Sequence, residues 1–159
     1  MKKLNIGCGP IKLPGYDNLD NEPKWEPDIL ADARDLPSDD NEYDLVQSYG
    51  FIEHIEPDDI QQVLNEMCRV LKPGGEVRIG TEDFRFHVMR YMEGSGIDGW
   101  VLSAVYGPHY LHKMLFDFHS LMKYMEKAGF GDIKVLNYND YGKTYNFSHG
   151  ILYVLGKKV

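Results

Sequence analysis

The opening of the chain, LNIGCGPIKLPGYDNLD over residues 4–20, sets a Gly-Cys-Gly turn after one apolar run and a carboxylate, Asp20, at the end of the next. Gly7 and Gly9, on either side of Cys8, let backbone approach a ligand that a Cβ would push away. A carboxylate at the tip of the following strand is placed to accept both hydroxyls of a ribose. Alone, a Gly-x-Gly pair marks a turn; with Asp20 and then Asp32 at successive strand ends, it reads as the start of a nucleoside-cofactor site. In ADARDLP, Asp32 is positioned to accept from an adenine amino group and the Ala33 amide to face a ring nitrogen. SYGFIEHI supplies Ser48, Tyr49 and Phe51 as a wall, then Glu53 and His54. TEDF supplies Glu82 and Asp83. Asp83 is the first candidate for a general base and His54 the second, on strand-end location alone. Glu82, Tyr106, His109 and His112 are the candidate lining of an acceptor pocket. His109 and His112 have metal-like spacing and His119 follows, but no Glu or Cys stands in register with them, so no metal is expected.

These residues need strands that end together. Short apolar runs at 4–6, 16–19, 29–31 and 43–47 are bounded by turn residues, as buried parallel strands are. Pro10, Pro14, Pro23, Pro27 and Pro37 crowd the links between them, leaving no room for long helices there. A helix is predicted over 57–71, where Ile60, Val63, Leu64, Met67 and Leu71 form one stripe; KPGG stops it and a strand follows at 76–80. The stretch 82–106 reads as helical with a glycine-rich break at 94–99. A second clear helix spans 117–128 and ends at Gly129, and DIKVLNY and HGILYVLGKK close the chain as an antiparallel hairpin. The order describes one α/β domain over residues 1–159, a doubly wound, mostly parallel sheet with a reversed final strand.

A formal charge of −8 disfavours nonspecific binding to nucleic acid or anionic membranes. The aromatics Tyr106, Tyr110, Phe116, Phe118 and Tyr124 therefore read as core and pocket lining rather than a base-stacking platform. Cys8 and Cys68 have neither metal-knuckle nor redox-pair spacing and read as free thiols of a reducing compartment. The sequence shows no leader pattern and no apolar run of membrane-spanning length, which points to the cytoplasm.

LNIGCG…GYDNLD, ADARDLPSDDNEYDLVQSYGFIEHI, EMCRVLKPGGEVRIG and LMKYMEKAGF together resemble the ordered motifs of the Rossmann-like S-adenosylmethionine-dependent methyltransferases, in particular a compact type 11-like subgroup. The resemblance runs over roughly residues 3–80 and 111–155. It implies a seven-stranded sheet with a C-terminal hairpin, and S-adenosylmethionine held across the first four strand ends. Gly7, Cys8 and Gly9 then lie against the methionine part, Asp20 takes the ribose, Asp32 and Ala33 the adenine, and Ser48, followed by Tyr49, opens the motif after the fourth strand. RVLKPGG takes packing and turn roles, and the family carries over no universal catalytic residue.

A nicotinamide-dependent oxidoreductase is the rival on the same architecture. It needs a third glycine, where Lys12 stands, and a real helix N-terminus for its pyrophosphate. The seven residues between Gly7 and Gly15, one of them Pro10, allow at most about two helical turns. A sulfonium nucleoside has no phosphate and does not need that helix. The favoured function is methyl transfer to a small metabolite or glycan precursor, and the alternative is a cofactor-binding module without catalysis. Pruned crossovers should also leave one apolar sheet face bare, to be covered by the segment 84–112 or by a second copy in a homodimer.

Overall fold

The computed structural model describes residues 1–96, 102, 105, 112–136 and 150–159. Seven strands form one sheet: β1 (Lys3–Ile6), β2 (Asp17–Asp20), β3 (Ile29–Leu30), β4 (Tyr43–Tyr49), β5 (Leu71–Glu82), β6 (Phe130–Val135) and β7 (Ile151–Lys158). Their order is β3-β2-β1-β4-β5-β7-β6. The first five are parallel, and β7 runs antiparallel to both β5 and β6. Strand order reverses beside β1, so the carboxyl ends of β1 and β4 open the crevice where α/β sheets take ligands.

Helices α1 (Ile60–Val70) and α3 (Phe118–Ala128) pack on one face, where Leu4, Ile6, Leu19, Val46, Val77 and Ile79 meet Val63, Leu64, Met67, Leu121 and Met125 in the main core. Helix α1 starts three residues later than its periodicity predicts. Asp59 does not cap it, because its carboxylate pairs with Arg34 at 2.8 Å instead. Helix α3 has the full reciprocal cap: Ser120 N donates to Asp117, and Asp117 N to Ser120 Oγ. The KPGG turn lies within β5, as a bulge between the pairings Tyr43 with Leu71 and Leu45 with Glu76.

The opposite face is not the bare apolar surface expected. Asn5, Asn18 and Gln47 occupy it together with Leu45, Tyr153 and Leu155, and all six are buried. Asn18 Oδ1 accepts from Asn5 Nδ2 at 3.0 Å and from Leu13 N at 2.8 Å. The connection after β1 is therefore pinned to the sheet by Asn18, and Leu13 packs with Tyr16, Tyr49 and Tyr153 where a crossover helix would lie. Of the segment 84–112, helix α2 (Phe84–Arg90) and a single wide turn, Tyr91–Ser95, are described; most of the remainder lies outside the described residues.

Candidate active site

A cavity of about 610 Å³ opens at the carboxyl ends of β1, β2 and β4, within the range of small-molecule sites. Seven of the predicted residues line it: Gly7, Gly9, Asp20, Asp32, Ala33, Phe51 and His54. Asp20 is held by two backbone amides, Gly9 N to Oδ2 at 2.8 Å and Glu22 N to Oδ1 at 3.0 Å. The glycine turn itself thus fixes the carboxylate, and each oxygen keeps acceptor capacity for a diol. The two glycines do different work. A Cβ on Gly7 would lie 2.4 Å from the Phe51 ring, so Gly7 makes room for that ring; beside Gly9 there is nothing within 4 Å, and its open side leaves space for a ligand.

Asp32 lines the cavity but is clamped by Arg34, whose Nε and Nη2 reach it at 2.6–3.1 Å. The guanidinium holds the Asp32 carboxyl below the usual range. A ligand amino group must therefore share Asp32 with Arg34.

The remaining predictions fall elsewhere, and strand alternation explains much of this. Ser48, on the core side of β4, is fully buried, and its hydroxyl has no hydrogen-bond partner. Tyr49 points to the opposite face, against Tyr153, with the hydroxyls 3.3 Å apart. Burial holds its phenol protonated. The Cys8 side chain is buried under the turn, which raises its thiol pKa. Asp83, first candidate for a base, is instead the N-cap of α2, accepting from Arg85 N at 3.1 Å, and does not line the cavity. Glu82 pairs with the buried His87 at 3.1 Å. Tyr106 and His109 lie outside the described residues.

Cavity-lining residues not selected from the sequence include Trp25, Lys24, Ile55 and Lys113. Trp25 ends a short 3₁₀ turn, Pro23–Trp25, with the Lys24 ammonium 4.9 Å from its ring centroid. A tryptophan in an otherwise polar loop just past the strand-end carboxylate was the available signal. Glu53, singled out with His54 in the sequence, differs from a surface carboxylate in its burial. It is 3 % exposed, accepts from Thr81 Oγ1 at 3.0 Å, and burial pushes its pKa up to about 7. His54 and His112 stand beside it, their ring centroids 4.8 Å apart.

Residues 17–79 match the family described as "Methyltransferase domain". A ubiquinone/menaquinone biosynthesis C-methyltransferase of Laribacter hongkongensis is 42% identical over 66 residues, 41% of this chain and 26% of that protein. A demethylmenaquinone methyltransferase of Clavibacter sepedonicus is 48% identical over 75 residues, 46% of this chain and 26% of that protein. The matched segment thus spans about a quarter of the length of these relatives. Among solved structures, a methyltransferase of Thermotoga maritima, described as a possible histamine N-methyltransferase, superposes with a TM-score of 0.69 at 21% identity, over 99% of this chain and 82% of that one. The phosphoethanolamine N-methyltransferase 2 of Haemonchus contortus, in complex with S-adenosylhomocysteine, gives 0.65 at 17% identity over 99% of this chain and 50% of that one. The chain shares its fold with solved methyltransferases, and residues 17–79 match the methyltransferase-domain family, the class that the sequence motifs resemble.

Proposed function

We propose that the chain is an S-adenosylmethionine-dependent methyltransferase acting on a small-molecule acceptor. The observation that carries this is the strand-end cavity in which Gly9 is open and Asp20 is aimed by two backbone amides. These residues fit the cofactor: Asp20 takes the ribose hydroxyls, the Gly7–Gly9 backbone lies along the amino-acid part, and Asp32 with Ala33 meets the adenine. Trp25 offers an aromatic face to the nucleoside.

When bound, S-adenosylmethionine supplies a methyl group already activated on a sulfonium. What the protein adds is positioning and exclusion of water. Phe51 and Ile55 supply apolar wall, and His54 brings a titratable nitrogen to the cavity. Glu53 and His112 each bring a ligand-competent atom within 4.8 Å of one on His54, so in the metal-free protein they are groups to which His54 can pass an acceptor proton. With Asp83 committed to a helix cap, this cluster replaces it as the candidate base.

Quinone precursors are the acceptors named for the similar proteins of Laribacter and Clavibacter, whereas amines are named for the structural neighbours. A quinone-type or amine small molecule is the acceptor class this supports, and a glycan precursor belongs to the same test. Among the described residues no helix is long and apolar enough to cross a membrane. The protein should be incubated with S-adenosylmethionine and a panel of quinone-type, phenolic, amine and sugar acceptors, with S-adenosylhomocysteine measured by mass spectrometry. Acceptor-dependent product is the expected result. Tight cofactor binding with no turnover across the panel would favour a binding module instead.

A further inference from the structure

Glu53, His54 and His112 each bring one ligand-competent atom within 4.8 Å of the others. Their residue types are those of the two-histidine, one-carboxylate sets that hold zinc and related divalent ions. The elements converge for a stated reason: Glu53 O accepts from Lys113 N at 2.8 Å and Met114 N at 3.2 Å, tying the chain after His112 to the turn Ile52–His54. We propose that Glu53, His54 and His112 form a binding site for a divalent transition-metal ion, zinc being the best match, at the rim of the strand-end cavity.

The charge around Glu53 supports a cation. Its carboxylate is buried, yet no described Lys or Arg is ion-paired with it. The ammonium of Lys113, whose backbone amide does reach Glu53, is turned to Glu56 at 2.7 Å. Thr81 fixes one carboxylate oxygen, the kind of outer contact that orients a metal ligand. Metal–ligand distances of about 2.0–2.2 Å place ligand atoms roughly 3.3 Å apart, so closure needs only side-chain rotation of about an ångström or more. Sequence spacing conceals the set, because the carboxylate and the second histidine come from distant segments. His119, which follows the pair His109 and His112 in sequence, is exposed on α3.

Three protein ligands leave a coordination position open. His54 lines the cavity, so an ion held by it would stand at the rim of the space where an acceptor would sit. Resting on the methyl-transfer reading, this favours acceptors with an ionisable oxygen, whose pKa a bound divalent ion lowers.

The test is calorimetric titration of the chelator-treated full chain with Zn²⁺, paralleled by the visible spectrum of added Co²⁺. One ion per chain is expected, with the intense Co²⁺ bands of low coordination number. His54→Ala and His112→Ala should each weaken binding at least ~10-fold, while His119→Ala leaves it unchanged. Zn²⁺ should also raise Tm in wild type but not in His112→Ala. Absence of saturable Zn²⁺ binding to wild type, binding that survives both histidine changes, or only the weak spectrum of six-coordinate Co²⁺ would overturn the site. S-adenosylhomocysteine titrated into the same preparation separates the two readings. Its binding without metal binding defeats the metal site alone; metal binding without it defeats the methyltransferase alone.

Discussion

Replacing Glu53 by glutamine should stabilise the metal-free protein at alkaline pH and leave it nearly unchanged in acid. Glu53 is 3 % exposed, and burial lifts its pKa from 4.5 to about 7, against smaller opposing contributions from its backbone amide, Thr81 and His112. Below about pH 4.5 the carboxyl is neutral both folded and unfolded, and it costs nothing. Between about 4.5 and 7 the unfolded chain ionises first while the folded chain keeps its proton, so stability falls as pH rises. Above 7 both forms are ionised and the loss is complete. A gap of about 2.5 pH units at 1.36 kcal/mol each gives an upper bound of ~3 kcal/mol. Glutamine keeps an acceptor for Thr81 Oγ1 and carries no charge to desolvate. In a chain of this size that corresponds to a rise in Tm of roughly 6–12 °C at pH 8, and little at pH 4.5. Thermal melts of both proteins at the two pH values, with chelator present, provide the assay. An equal effect at both pH values, or a less stable Glu53→Gln protein at pH 8, would refute the reasoning.

Three further outcomes follow from the geometry. Gly7→Ala, with a Cβ 2.4 Å from the Phe51 ring and φ of +69°, should cost ~2–4 kcal/mol in urea unfolding; Gly9→Ala, with open space around it, should cost only the ~1–2 kcal/mol of a left-handed alanine. Asp83→Asn keeps the cap of α2 and should alter neither turnover nor stability by more than ~0.5 kcal/mol; a large loss of turnover would return Asp83 to the chemistry. Trp25→Ala should weaken S-adenosylhomocysteine binding ~10-fold by calorimetry, on the scale of taking one aromatic face away from a nucleoside, and unchanged affinity would remove Trp25 from the site.

The parts of the fold that depend on local pattern could be read directly from the sequence. The alternation in β1, β2 and β4, the stripes of α1 and α3 and the Gly129 stop all describe what a segment must bury, and that is written in its own residues. Asp20 and Gly9 belong to the same level, because strand, turn and strand are contiguous. What pattern could not supply was choice among partners. Asp83 has the same composition as a base and as an N-cap, and only the start of α2 decides between them. Tyr49 sits at a strand end, but the pleat turns it toward Tyr153 and away from the cavity. The pruned first crossover suggested a bare face, because nothing local says that Asn18 will tether the loop and lay Leu13 across it. The meeting of Glu53 with His112 depends on two backbone hydrogen bonds between distant segments, which no spacing rule encodes.

If the turn around Gly9 presents Asp20 to the ribose of S-adenosylmethionine, affinity for the nucleoside must depend on that carboxylate. Isothermal titration of S-adenosylhomocysteine into wild type and Asp20→Asn is the decisive measurement. One saturable site is expected in wild type and a loss of ~10–100-fold in Asp20→Asn, the scale of removing hydrogen bonds to a charged acceptor, with both proteins folded by circular dichroism. No binding to folded wild type, or equal affinity in the two proteins, would contradict it.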